Sequence, residues 1–261
     1  MIGQQELLKV LNSYTIQTLP KALMLIGEKG CGKHTVVNEL AKKLELEVEE
    51  LQNSITSDDI IEYQYTLIPK LFVIDLSNFT DKQQNQLLKF VEEPCENVYI
   101  VLFAENSRTV IDTLLNRCIK LYFKSYTKDE LKQFKAVDCE EIYDICKTPG
   151  QLQDVDIESF GELLTLCSKI IQKLPDAPYA NAISISTKLN FKEEYNKFDV
   201  NLFFNTLLYL ARKEYVKSNT KESLAAFYVT YDYKQRFYLP ALNKESLVIS
   251  FLDELYNVVK K

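Results

Sequence analysis

The run Gly27-Glu28-Lys29-Gly30-Cys31-Gly32-Lys33 narrows the possible folds more than any other feature, because it fits G-x-x-x-x-G-K. It lies between the apolar stretch Ala22–Ile26, which reads as a short buried strand, and Val36–Leu44, whose apolar spacing is helical. Glycines let such a loop turn until its N–H groups point inward at phosphate oxygens. The helix starting near Lys33 adds its partial positive end, and the lysine ammonium reaches the outer phosphates. A glycine-rich turn with a surface lysine is the bland alternative. Agreement of strand, loop and helix favours a phosphate-binding loop.

The rest of the first half repeats the strand–helix alternation. Leu71–Ile74 and Tyr99–Phe103 read as buried strands, and Ile119–Phe123 alternates as a further one. Leu7–Tyr14 has one apolar helical face, and a helix from Asp81 carries Leu87, Leu88 and Val91 before Pro94 closes it. Alternation of this kind predicts an α/β fold, a parallel sheet with helices on both faces. Beyond residue 125 the strand signals fade. Thr127 and Glu130 form a capping box that opens a helix through Leu131 and Phe134. Thr148-Pro149-Gly150 marks a break, followed by helical spacing from Phe160 to Ile171. Leu174-Pro175-Asp176-Ala177-Pro178 is the best candidate linker, and Val200–Leu210 and Leu247–Val258 are strongly helical in period. Three domains are therefore expected, over residues 1–125, 126–174 and 175–261.

Composition removes several classes of function. A net charge of −6 argues against a protein that coats nucleic acid through its own positive charge. No apolar run approaches the roughly 18 residues of a membrane span, and no basic region with an apolar stretch opens the chain, so a cytoplasmic location without membrane contact is expected. The six cysteines (31, 95, 118, 139, 146 and 167) form no C-x-x-C pair, and His34 is the one histidine. That set offers almost nothing to a structural zinc ion, and most of the cysteines read as small core residues.

The remainder of a nucleotide site looks impaired. The residue after the P-loop lysine is ordinarily Ser or Thr, whose hydroxyl binds magnesium. Here it is His34, with Thr35 one place later, and imidazole is a poor ligand for a hard cation. Asp75, ending Leu71-Phe72-Val73-Ile74-Asp75, is the candidate acid for magnesium or water. Its successor is Leu76, which cannot polarise an attacking water.

Several segments carry a family resemblance. Gln84-Asn85-Gln86-Leu87-Leu88-Lys89-Phe90-Val91-Glu92-Glu93-Pro94 resembles the N-x-L-L-K-x-L-E-E-P helix of AAA+ clamp-loader subunits. Asn97–Leu102 and then Glu105-Asn106-Ser107 stand where that family has its sensor strand ending in Asn. Thr113-Leu114-Leu115-Asn116-Arg117-Cys118 is similar to its T-I-x-S-R-C signature, and Ile2-Gly3-Gln4-Gln5 to its opening G-Q-E helix. The similarity covers about the first half of the chain and is greatest to the delta-prime type of bacterial DNA polymerase III subunits or a phage equivalent.

The resemblance implies an AAA+ domain, a helical lid and a helical collar that oligomerises with other subunits. It implies that Arg117 acts in trans as an arginine finger on a neighbour's ATP, work that suits a planar, always-charged group. Gly27–Lys33, His34, Thr35, Asp75 and Asn106 would line a site for ATP or ADP with weak or absent magnesium. The implied partners are other clamp-loader subunits, the sliding clamp and primer-template DNA. Two departures accompany Leu76. No arginine lies between Cys118 and Arg212 to serve as the lid sensor, Gln151 standing near its place. No cysteine lies between Cys31 and Cys95, so the family's zinc module is absent and zinc is not expected. The expected protein is thus a non-hydrolysing subunit. An active ATPase motor using Thr35, a small-molecule kinase and an adaptor outside replication are the competing readings.

Overall fold

The computed structural model describes residues 3–51, 57–173, 200–237 and 244–259. The candidate linker at 174–178, Ile2 and Tyr238 lie outside them. The chain divides into two compact units: 3–138 with 147–153, and 139–146 with the described residues from 154 onward. The boundaries expected at 125 and 174 do not coincide with this division.

The first unit is built on a parallel sheet. Its elements are α1 (Gln5–Ser13), β1 (Ala22–Ile26), α2 (Lys33–Leu44), β2 (Glu47–Leu51), α3 (Ser57–Gln64), β3 (Lys70–Asp75), α4 (Asp81–Gln86), α5 (Leu88–Glu92), β4 (Val98–Ala104), α6 (Asp112–Leu115), β5 (Ile119–Tyr122) and α7 (Lys128–Phe134). The strand order is β2-β3-β4-β1-β5, with every pair parallel. Alternate residues of the central strands face opposite layers, as the two-residue pleat requires. Met24, Ile26, Phe72, Ile74, Ile100 and Leu102 pack with Leu87, Phe90, Val91 and Leu114. Leu23, Leu25, Leu71, Val73, Val101 and Phe103 pack instead with Leu7, Leu11, Val36, Val37 and Leu40 of α1 and α2. Each such side chain, fully buried, contributes roughly 1.5–3 kcal/mol, which is why the three buried strands β1, β3 and β4 stand out in the sequence.

β2 was not anticipated. Its residues are Glu47-Val48-Glu49-Glu50-Leu51, and only Leu51 is buried. It is an edge strand paired on one side with β3, and Lys70 of β3 holds Glu49 at 2.8 Å. The helix expected from Asp81 to Pro94 is also corrected, because it divides at Leu87. There the backbone N–H bonds to Gln84 O at 3.1 Å, a three-residue step that interrupts the four-residue ladder.

The second unit is helical: α8 (Glu141–Ile145), the end of α9 (Pro149–Asp154), α10 (Ile157–Lys173), α11 (Val200–Ser218), α12 (Lys221–Phe237) and α13 (Lys244–Val259). Phe203 and Leu207 of α11, Tyr233 of α12 and Phe251 and Leu255 of α13 share one core with Leu163 and Cys167 of α10. The apolar faces of the segments read as helical at Val200–Leu210 and Leu247–Val258 therefore pack within this unit. In the tyrosine-rich segment of α12, Tyr233 is buried and donates to Glu254 Oε2 at 2.9 Å, whereas Tyr228 and Tyr231 are exposed. No helix among the described residues is long and apolar enough to cross a membrane.

Candidate nucleotide site and exposed arginine

All five strands point the same way, so the loops after β1, β3 and β4 leave one edge of the sheet, where open α/β sheets bind ligands. The loop after β1 is Gly27–Gly32. Its first residue donates N–H to Ala104 O at 3.0 Å, tying it to the end of β4. Gly30 and Gly32 have φ of 79° and 99°, in the left-handed region that only glycine enters cheaply. α2 begins directly after Gly32, so its unpaired N–H groups face the loop. Lys33 is buried, and its ammonium donates to Gly27 O at 2.5 Å and Glu28 O at 3.2 Å. Glu28 and Lys29 are exposed. The fold of the loop suits a polyphosphate, for which Lys33 would exchange carbonyl partners for phosphate oxygens.

Three contacts unseen in the sequence strap this loop from outside. Tyr126 donates its hydroxyl to Cys31 O at 2.7 Å, Thr148 donates to Lys29 O at 2.8 Å, and the Gly150 N–H donates to Gly30 O at 2.9 Å. Burial holds the Tyr126 hydroxyl protonated, its pKa pushed up to about 12 despite the opposing Gln4 hydrogen bond. The same kind of burial raises the Cys31 thiol, which Lys33 only partly offsets. Gly30 and Gly150 meet so closely that a Cβ on Gly150 would stand 2.6 Å from Gly30 Cα. Three successive loop carbonyls are thereby satisfied. Gln151, singled out near the sensor-arginine position, accepts from Lys147 N at 2.8 Å and so caps a turn.

Of the residues considered for magnesium, His34 and Asp75 have protein partners. His34 Nδ1 lies 3.1 Å from Glu50 Oε1 and its ring meets Phe103 edge-on at 4.7 Å, so it links α2 to β2 and β4. Thr35 is exposed. Asp75 ends β3 at the expected sheet edge, but its Oδ1 accepts from Ser77 N at 3.0 Å and Ser77 Oγ at 2.6 Å. Leu76 is 2% exposed and packs in the core, so no water can be held there. Asn106, on the loop after the strand between β1 and β3, uses its side-chain oxygen to accept from Arg108 N at 2.9 Å. Among the described residues no cluster of three His, Cys, Asp or Glu side chains could hold a metal ion. The donor set fits a phosphate better than it fits magnesium.

Arg117 follows α6 and precedes Cys118, which is buried in the core with its thiol pushed up to about 12 by desolvation. The arginine side chain is 36% exposed. It pairs through Nε and Nη2 with Glu92 and donates from Nη1 to Thr113 O at 2.7 Å. The E-E-P and R-C segments of the sequence therefore meet in space.

Gln84, read in the sequence only as part of a motif, joins these turns. Its side chain is 1% exposed. Nε2 donates to Thr109 O at 2.9 Å and Phe79 O at 3.3 Å, and Oε1 accepts from Ile111 N at 3.0 Å. It fixes the loop after β4, and so the approach to α6 and Arg117, to the start of α4.

This sheet order, with a glycine-rich loop after β1 and an acidic strand beyond β4, is a parallel α/β fold that solved proteins share. A gamma-subunit-related protein of DNA polymerase III from Thermotoga maritima aligns over 98% of this chain and 99% of its own, with a TM-score of 0.55 at 16% identity. A point variant of RuvB from the same organism aligns over 99% and 87%, with a TM-score of 0.51, also at 16% identity. In sequence, residues 47–127 match the family described as DNA polymerase III, delta subunit. That stretch holds Asp75, Glu92, Asn106 and Arg117 but not the phosphate loop. The gamma subunit of DNA polymerase III from Buchnera aphidicola (subsp. Acyrthosiphon pisum, strain APS) is 29% identical over 52% of this chain and 46% of its own length. This chain thus spans about half of that relative. Part of the chain is thus similar in sequence to DNA polymerase III subunits, and its fold is similar to that of a gamma-subunit-related protein.

Proposed function

We propose that the chain is a delta-prime-like clamp-loader subunit that lends Arg117 to a neighbour's ATP and does not itself hydrolyse nucleotide efficiently. The observation that carries the reading is the pair Asp75–Leu76. One carboxylate oxygen of Asp75 accepts from Ser77, and the next side chain is apolar and buried, where hydrolysis needs a group to orient water. Arg117, by contrast, stands at the surface with donors to spare. Its planar guanidinium would bind oxygens of the transferring phosphate as charge develops on them. The phosphate loop would hold ATP or ADP as a structural ligand, with little magnesium. The partners would be ATP-hydrolysing loader subunits, the sliding clamp and primer-template DNA, in the cytoplasm.

The test is ATP turnover of a loader reconstituted with this chain. Arg117→Ala should lower kcat by roughly tenfold or more, given what arginine fingers supply, with assembly unchanged. Normal turnover would remove the trans role. One alternative has specific support, since the loop geometry is intact and a curated relative is a gamma subunit. In that reading the chain is itself a motor, and the purified chain should hydrolyse ATP in a Lys33-dependent way.

A further inference from the structure

Arg117 is not free to swing. Its backbone is fixed between Leu114 and Cys118, which are 0% and 6% exposed, and its guanidinium is gripped along one side. Glu92 Oε1 accepts from both Nε and Nη2, while Nη1 donates to Thr113 O at 2.7 Å. A guanidinium has five N–H donors in a rigid fork. These contacts occupy three and leave two directed elsewhere. Glu92 is the last residue of α5 and comes from an element 25 residues away in the chain. A local turn therefore does not account for the pairing.

We propose that Glu92 is the positioning residue for Arg117. It holds the Nε–Nη2 side of the guanidinium so that the remaining donors are presented, already ordered, to phosphate oxygens of a nucleotide bound by another subunit. The inference rests on the trans role of Arg117 given above. A long side chain that must be ordered at the moment of reaction loses rotamer freedom then, and one held beforehand does not. The pair is also half exposed, so solvent screens the carboxylate and the guanidinium keeps most of its pull on a phosphate. Holding through one oxygen further predicts that an amide in the same place can do most of the work, since its carbonyl still accepts.

The experiment measures ATP turnover by a loader reconstituted from the full chain and its cognate ATP-hydrolysing subunit. Glu92→Ala should lower kcat about tenfold, a loss typical of a misplaced catalytic group, with KM for ATP within about twofold and the mass of the complex unchanged. Glu92→Gln should keep most of the activity. The double variant Glu92→Ala with Arg117→Ala should be no slower than Arg117→Ala alone, because the two act as one unit. Wild-type turnover in Glu92→Ala overturns the proposal, and faster turnover does so by marking Glu92 as a restraint. A double variant slowed by the full product of the single effects also overturns it. If Arg117→Ala turns over normally, the trans role fails instead. The grip is then judged in the isolated chain from the Nε–Hε NMR signal of Arg117, one of four arginines. Glu92→Ala must move that signal to the position of a free arginine, and an unmoved signal ends the idea.

Discussion

Gln84 offers the sharpest check on how the site is held. Gln84→Leu keeps the approximate volume and removes both ends of a buried amide. Three backbone groups lose a partner: Phe79 O, Thr109 O and Ile111 N–H. A buried group left unpaired costs about 1–3 kcal/mol. The Phe79 bond is long at 3.3 Å, and the other two sites are partly open to water, so each is taken at about 1 kcal/mol, the low end of that range. The added apolar contact of leucine returns about 1 kcal/mol. A net loss of about 2 kcal/mol follows, which is roughly thirtyfold in an opening equilibrium. Native-state hydrogen exchange at the Ile111 amide reads this directly, because its acceptor is the deleted oxygen. Protection should fall by about that factor, and amides in the middle of β4 should change less. If Ile111 protection falls less than about threefold and stability shifts under 0.5 kcal/mol, the amide is not what joins these loops.

Two further outcomes follow from contacts around the phosphate loop. Gly150→Ala would drive a methyl to 2.6 Å from Gly30 Cα, backbone against backbone, and should destabilise the first unit by about 1–3 kcal/mol, seen as a lowered Tm. Gly161→Ala, where a methyl meets nothing within 4 Å, is the control and should not destabilise. In alkali the protein should lose stability as pH climbs from about 9 to 12. The buried Cys118 thiol and Tyr126 hydroxyl both have raised pKa values of about 12, so the folded state keeps protons that the unfolded chain releases earlier. Their contribution is complete below the unfolded values and gone above the folded ones. Denaturant titrations at pH 8 and pH 11 check it, and equal midpoints would refute it.

The sequence displays whatever burial alone determines. β1, β3 and β4 were legible because their apolar side chains must leave water, β5 by its alternation alone although it is largely exposed, and the phosphate loop because its glycines and lysine keep fixed spacing. β2 was not, since an exposed edge strand of alternating glutamates has the composition of a solvated helix or loop. Its conformation comes from pairing with β3, a partner some twenty residues away. At the candidate site, Asp75 ends β3, Asn106 follows β4 and Arg117 follows α6. The sequence could not show that Asp75 and Asn106 turn inward to cap their own turns, or that Glu92 reaches Arg117. It was equally silent on Tyr126, Thr148 and Gly150, because a strap is a property of chain crossings and no periodicity records it. The helical periodicity of Val200–Leu210 and Leu247–Val258 does not say what covers their apolar faces, and the packing of four helices into one core does.

The strap has a consequence for the order in which this chain can acquire its shape. Thr148 bonds a loop residue 119 positions earlier, and between the two the chain passes through 139–146, which belongs to the other unit. A ribosome therefore releases Gly27–Lys33 long before the hydroxyl and amide that steady it. Such distant closure is slow, because the entropy of the intervening chain must be lost first. A nascent chain halted at residue 138 would carry every strand of the sheet and still lack the last two fastenings of its phosphate loop. Pausing between residues 138 and 148 would thus leave a folded-looking domain with an unsteady glycine-rich loop.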